Sequence, residues 1–197
     1  MIRRFVCLLL LSVLSGSAAG PKETVASEKM RPVLLVVDVQ NQFLQYMDPA
    51  DKGMAMWVIP SVVQMFREGG FPVIRVYHTD PQAGPAQGTE AFEFPDVIPV
   101  RPEDPMVIKN FPNGFKKTTL EKLIRERGCN TVFLCGLSSV GCVLATYEAA
   151  VDLDFTAFLV KDGLMSHNAS YTNTIEDIFD AVGTEAVKAM LKNAEKP

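Results

Sequence analysis

The chain has 197 residues and a formal net charge of −4, with 48% of its residues hydrophobic and 21% charged. That length suits one domain around one sizeable core, and the balance is that of an ordinary globular fold rather than a disordered chain. The acidic excess argues against nucleic acid and against an anionic membrane surface as partners.

Residues 1–19 read as an export signal, not as part of a fold. Arg3 and Arg4 lead into an apolar run over 5–14, followed by the small residues Ser15, Gly16, Ser17, Ala18 and Ala19, the three-part layout of a cleaved signal. The run is about ten residues, half of the roughly twenty that span a bilayer. The expectation is an exported protein, periplasmic or secreted, with no membrane attachment after signal cleavage. Residues 20–31 are polar, carry no apolar period and read as a tether; 32–197 reads as the domain.

Residues 32–39 (PVLLVVDV) form a nearly continuous branched run, the mark of a strand buried on both faces. A helical period follows over 54–68, closed by Gly69 and Gly70. A second strand is expected over 72–78, then a long Pro, Gly and acid-rich stretch over 79–105, of the kind that often forms a lid. A short extended piece over 106–109 precedes a helix capped by Thr118 and Thr119 that runs to about Arg127. The third full strand is 131–137, the Ala-rich segment 141–152 is a helix, and 155–160 is another strand. The remainder is helical over 173–182 and 184–193, with a brief strand near Gly183. Alternating strands and helices imply parallel pairing with right-handed crossovers. The expected fold is therefore a single-domain, doubly wound α/β sheet of five or six mostly parallel strands with helices on both faces.

Ligands of such sheets bind beyond the carboxyl ends of the strands. Asp38, His78 and Lys109 close three of the extended segments, and Cys142 follows the 131–137 strand where a helix begins. A carboxylate in VVDVQ is costly to bury unless it is paired or used, and Lys109 in VIKNF has the same character. Unpaired backbone N–H groups at a helix start favour a thiolate at Cys142 and offer donors to an oxyanion. If lysine, aspartate and thiol meet, their titrations couple and the aspartate is positioned to take the thiol proton. Beyond the signal the cysteines are Cys129, Cys135 and Cys142, an odd number. A strand between Cys129 and Cys135 separates them by about 20 Å at 3.3 Å per residue, too far for a disulfide. The spacings also lack the close Cys pair of a zinc site.

Three segments then carry a specific likeness. DVQNQF (38–43), VIKNFPNGF (107–115) followed by TTLEKLI, and GLSSVGCVLAT (136–146) resemble, in order and spacing, the isochorismatase-like cysteine hydrolases. The resemblance implies Asp38 as general base and acid, Lys109 as its charged partner and Cys142 as nucleophile. It also implies a cis peptide at Leu137–Ser138 that aims the Ser138 N–H, with that of Cys142, at the oxyanion. Gln40 and Asn113 are candidates to orient substrate by hydrogen bonds; Phe43, Tyr77, Phe115 and Leu137 are candidates to line the pocket, and His78 to stand at its wall.

Two departures from the family pattern bear on function. Gln42 stands where many members have an acid. The nicotinamidase branch is marked by Asp-x-His after the second strand; here the stretch is Val76-Tyr77-His78, and His167 is the other histidine. The expectation is thus a metal-independent thiol hydrolase, without a cofactor, that cleaves an amide, carbamoyl or ureido C–N bond of a small molecule. The alternatives are an isochorismatase-type vinyl ether hydrolase or an inactive small-molecule binding protein of the same fold. A homo-oligomer is what the resemblance suggests for quaternary structure.

Overall fold

The computed structural model describes residues 28–80, 82 and 84–197. The export-signal reading over 1–19 and the tether as far as residue 27 lie outside the described residues.

β1 (Pro32–Val37) is the buried centre of the sheet, and every residue of it is shielded from solvent. A four-residue turn of helix, α1 (Asn41–Leu44), leads to α2 (Pro49–Gly69) and then β2 (Val73–His78). β3 (Met106–Lys109), α3 (Leu120–Glu126), β4 (Thr131–Leu137) and α4 (Cys142–Asp152) follow. The chain continues through β5 (Thr156–Met165), α5 (Ala169–Ile178), β6 (Ala181–Val182) and α6 (Thr184–Lys192). All strand pairs are parallel, and the six-stranded order is β3-β2-β1-β4-β5-β6.

Pleating sends alternate side chains of β1 to opposite layers. Leu34 and Val36 pack with Ile59, Val62 and Phe66 of α2 and Val187 and Leu191 of α6. Val33, Leu35 and Val37 pack with Leu120 and Ile124 of α3 and Val143, Tyr147 and Ala150 of α4. The sheet is therefore covered on both faces, which is why its central strands are continuous apolar runs without a polar alternation.

α2 begins at Pro49, ahead of the expected start at 54, because its first turn is set by capping and not by apolar period. Asp48 accepts the Ala50 N–H at 2.9 Å and Pro49 occupies the first helical position. Gly70, at φ 74°, closes the helix in the left-handed conformation that glycine tolerates. β5 runs on to Met165, past a register shift against β4 between Leu134 and Gly136. α5 starts at Ala169, not 173, because the Asn168 side chain caps the Ser170 N–H at 3.0 Å.

Within the expected lid, residues 91–104 are not free. Phe92 and Phe94 are buried and stack on Tyr77, with ring centroids 4.7 and 4.3 Å away. Asn41 N–H donates to Glu93 O and Gln42 N–H to Ala91 O, both at 2.9 Å. Asp104 holds Arg67 through two hydrogen bonds of 3.1 and 2.6 Å. These contacts fix residues 91–104 to β2, α1 and α2.

The order of strands reverses between β1 and β4, and the crevice at such a switch point is where a doubly wound sheet binds ligands. Asp38 follows β1 and Cys142 follows β4.

Candidate active site

Asp38 adopts φ 54° directly after β1, a left-handed conformation that aspartate tolerates better than most residues. Its N–H donates to Val76 O at 2.8 Å, and its carbonyl accepts from Gln40 N at 2.7 Å. On the facing strand Gly136 has φ 117°, and a Cβ built there would lie 2.0 Å from Val37 O. Only glycine permits the ends of β1 and β4 to approach this closely. The approach brings the residues after β4 up to Asp38.

The buried carboxylate is paired. Lys109 Nζ donates to Asp38 Oδ2 at 2.6 Å, and both side chains are sealed from solvent, at 0% and 1% exposure. Asp38 Oδ1 is buried without a hydrogen-bond partner. The Asp38 carboxylate, the Cys142 sulfur and the His78 ring lie within 4.8 Å of one another. Burial raises the Asp38 pKa above the usual carboxylate range, against the pull of Lys109 and of the Cys142 thiol. Cys142 is pushed up to about 12, first by burial and then by the negative charge of Asp38, with Lys109 opposing.

The helix-start position was expected to favour a thiolate. Cys142 is indeed the first residue of α4, with Gly141 before it, but desolvation together with the adjacent carboxylate outweighs the helix dipole. The resting sulfur is a protonated thiol, and the unpartnered Asp38 Oδ1 is the base available to it.

The Leu137–Ser138 peptide is cis, as the resemblance implied. Ser138 O accepts from Gly141 N at 2.9 Å and Val143 N at 3.1 Å, while the N–H groups of Ser138 and Cys142 make no backbone hydrogen bond among the described residues. Two donors are thus left beside the sulfur. The turn is held from behind by a buried polar network. Ser139 N–H donates to Met165 O at 2.7 Å, and Ser139 Oγ lies 3.0 Å from Thr172 Oγ1. Asp51 Oδ2 accepts from Thr172 Oγ1 at 2.5 Å and from Ser166 N at 3.1 Å.

A cavity of about 270 Å³ opens over these groups. Phe43, Tyr46, Met47 and Leu137 form its apolar wall, and Asp38, Ser138, His78 and Cys142 its polar end. His78 belongs both to the wall and to the charged cluster, since its Nδ1 lies 3.2 Å from Lys109 Nζ. The ammonium has only protons to offer, so Nδ1 accepts and Nε2 carries the hydrogen. Burial first, then the Lys109 charge, lowers the His78 pKa and keeps the ring neutral. Phe43 meets the ring edge-on at 6.0 Å between centroids.

Three expected substrate contacts fall elsewhere, and Tyr77 is not in the cavity wall either. Gln40 is fully buried and grips the His78 backbone from both sides, accepting from its N–H at 2.7 Å and donating to its carbonyl at 3.0 Å. It positions the wall and does not reach the cavity. Asn113 and Phe115 line a separate surface depression with Glu121 and Asp152. There Asn113 Oδ1 accepts the Phe115 N–H at 2.8 Å, and the Phe115 ring stacks on Phe155. Tyr77 is core, stacked under Phe92 and Phe94. Sequence reasoning missed Tyr46 and Met47, which lie between α1 and α2 and belong to neither helix. Asp51, Ser139 and Thr172 gave no local signal, because their network joins three elements distant along the chain. Cys129, Cys135 and Cys142 are all free thiols, the first two buried. His167 packs on Tyr171, with ring centroids 5.2 Å apart.

Residues 32–188 match the isochorismatase domain family. The isochorismatase family protein YddQ of Bacillus subtilis is 28% identical over 154 residues, covering 75% of this chain and 83% of that protein. Streptothricin hydrolase of Streptomyces noursei is 26% identical over 166 residues, covering 83% of this chain and 66% of the hydrolase. Among solved structures, N-carbamoylsarcosine amidase from Thermoplasma acidophilum superposes with a TM-score of 0.68 at 25% identity, over 78% of this chain and 95% of that one.

Proposed function

This chain belongs to the isochorismatase family of hydrolases, and we propose that it cleaves an amide, carbamoyl or ureido C–N bond of a small molecule through an acyl-Cys142 intermediate. The observation that carries the reading is one cluster: a buried carboxylate with one oxygen held by Lys109 and the other unpartnered, beside a half-buried thiol. Likeness to two enzymes whose names specify amidase or hydrolase activity supports it.

In this mechanism Asp38 Oδ1 takes the thiol proton as sulfur attacks the substrate carbonyl carbon. The C–S bond forms and the carbonyl π electrons move to oxygen, where the Ser138 and Cys142 N–H groups receive the negative charge. Collapse of the adduct breaks the C–N bond, and the nitrogen leaves with the proton returned by Asp38. Water then attacks the thioester, giving up its proton to Asp38; the carboxylic acid departs and sulfur recovers a proton. Lys109 keeps a proton-bearing Asp38 from being the permanent state, since its ammonium favours the carboxylate. Asp38, Lys109 and Cys142 are the catalytic residues of this reading, with Phe43, Tyr46, Met47, Leu137 and His78 around the substrate.

The test is ammonia or amine release from a panel of small amides, carbamoyl amines and ureido acids, together with mass analysis of the enzyme during turnover. Wild type is expected to show an acyl adduct on Cys142, and Cys142→Ser to lose activity by on the order of 10³-fold or more. Full activity in Cys142→Ala with loss in Asp38→Asn would move the assignment to acid cleavage of a vinyl ether. We further propose that residues 1–19 are a cleaved signal that directs export; a protein retained in the cytoplasm with its N-terminus still at Met1 refutes this.

A further inference from the structure

The cavity over Cys142 joins a charged end to an apolar wall. Its machinery is charged, yet that charge is spent internally. Lys109, the nearest cation, is fully buried, and Asp38 Oδ2 and His78 Nδ1 hold its ammonium. Among the described residues no lysine or arginine lines the cavity, and Asp38 is the lone acid there. A substrate carboxylate would therefore enter without a cation to pair with, and beside a buried carboxylate. Among the residues that line the cavity, a substrate ammonium would have Asp38 as its counter-charge, already paired and required for proton transfer.

The wall away from the sulfur is hydrocarbon and aromatic: Phe43, Tyr46, Met47 and Leu137. Moving an ion from water against such a surface is costly, whereas moving a methylene group there is favourable. His78 adds no charge, because the ammonium on Nδ1 opposes a second proton on the ring. The volume, about 270 Å³, lies below the roughly 300–1,000 Å³ of sites for drug-sized ligands.

We propose that this cavity selects a small, uncharged amide whose far end is apolar and rests on Phe43, Tyr46, Met47 and Leu137. The inference rests on the amidase reading for the reacting group, but its content is the character of the rest of the substrate. Tyr46 matters most for the far end. It is 60% exposed and lines the cavity, so it stands at the mouth, where a substituent remote from the sulfur passes.

Three amides of similar length test the claim: butyramide (neutral), succinamate (anionic) and β-alaninamide (cationic). Binding is read from protection of Cys142 against iodoacetamide, located by peptide mass mapping, so it does not depend on turnover. Half-protection by butyramide is expected at a concentration at least about tenfold below that for either charged amide. A smaller margin, or no protection by butyramide, overturns the proposal. Ammonia release is followed in parallel: protection led by butyramide without any release sinks the amidase reading and leaves the selectivity standing, whereas release with succinamate preferred does the reverse. The exposed Tyr46 also allows a gain-of-function arm. Tyr46→Arg supplies the missing cation at the mouth and is expected to shift the ratio of half-protecting concentrations toward succinamate by roughly tenfold; an unchanged ratio overturns the assignment of the far end to this wall.

Discussion

Asp38 and Lys109 illustrate how a single buried pair constrains both stability and chemistry. Each is expensive to bury alone, and removal of one partner from a buried pair costs roughly 3–5 kcal/mol because the other charge is stranded. Asp38→Asn is therefore expected to destabilise the fold by about that amount and to abolish turnover. Asp38→Asn combined with Lys109→Met removes both charges and should recover most of the stability, since an apolar replacement of a buried pair is often neutral, while turnover stays absent. Urea unfolding of the four proteins in the cycle separates the two effects; a double variant destabilised by the sum of the two single losses would show that the pair is not energetically coupled. A second buried acid behaves differently. Glu176 accepts the Asp162 N–H at 2.8 Å and is raised to about 7 from an ordinary 4.5, chiefly by burial. The folded state holds this proton while the unfolded chain loses it, so this group's contribution to stability falls as pH rises from 4.5 to 7. Glu176→Gln should consequently raise the melting temperature at pH 8 by a few degrees and leave it nearly unchanged at pH 4.

At the scale of elements, the close contact of β1 with β4 decides whether the site assembles. A Cβ at Gly136 collides with the Val37 backbone and not with a movable side chain. Gly136→Ala is expected to cost more than about 3 kcal/mol or to prevent soluble folding, as measured by yield and denaturant midpoint. The 79–105 stretch makes a contrasting case. Its length suggested a lid, but lids have few buried apolar contacts, whereas this one buries Phe92, Phe94 and Ile98. Phe92→Ala should cost about 3–5 kcal/mol by the cavity it leaves, with the denaturant midpoint as the readout; a loss under 1 kcal/mol would restore the mobile-lid reading. Element ends explain where sequence reasoning succeeded. Asp38, His78, Lys109 and Cys142 were legible because polar residues at the ends of apolar strands stand out against their surroundings. Asn113 and Phe115 follow the end of β3 along the chain but line a different depression from Cys142. After β3 the chain turns toward α3, and both residues line the depression between Glu121 of α3 and Ala149 and Asp152 of α4. Tyr46 and Met47 lie in the link between two helices, where apolar period is too short to read.

For the whole molecule, the parallel doubly wound arrangement was legible in outline because every strand but β2 is followed by a helical segment, and handedness leaves few topologies open. Strand order, with its reversal between β1 and β4, was not, since it depends on which buried faces fit and not on any local signal. That buried organisation has a titration consequence that no single residue reveals. Cys129 is raised to about 11 and Cys142 to about 12, and Cys135 higher still, all by burial first. Tyr77 and Tyr147 are raised for the same reason. These groups are neutral when protonated. Above pH 9 the unfolded chain releases thiol protons that the folded chain retains, so the unfolded state binds fewer protons and stability falls with rising pH. The loss should steepen through pH 10, where unfolded tyrosines also ionise, and level only as the folded thiols themselves begin to titrate. Thermal unfolding followed from pH 8 to 11 in constant ionic strength is expected to show a continuous fall in melting temperature, reduced in Cys129→Ala. A flat profile over that range would mean that the thiols reach water in the folded protein, which is incompatible with a cavity dry enough to hold Cys142 as a protonated thiol beside Asp38.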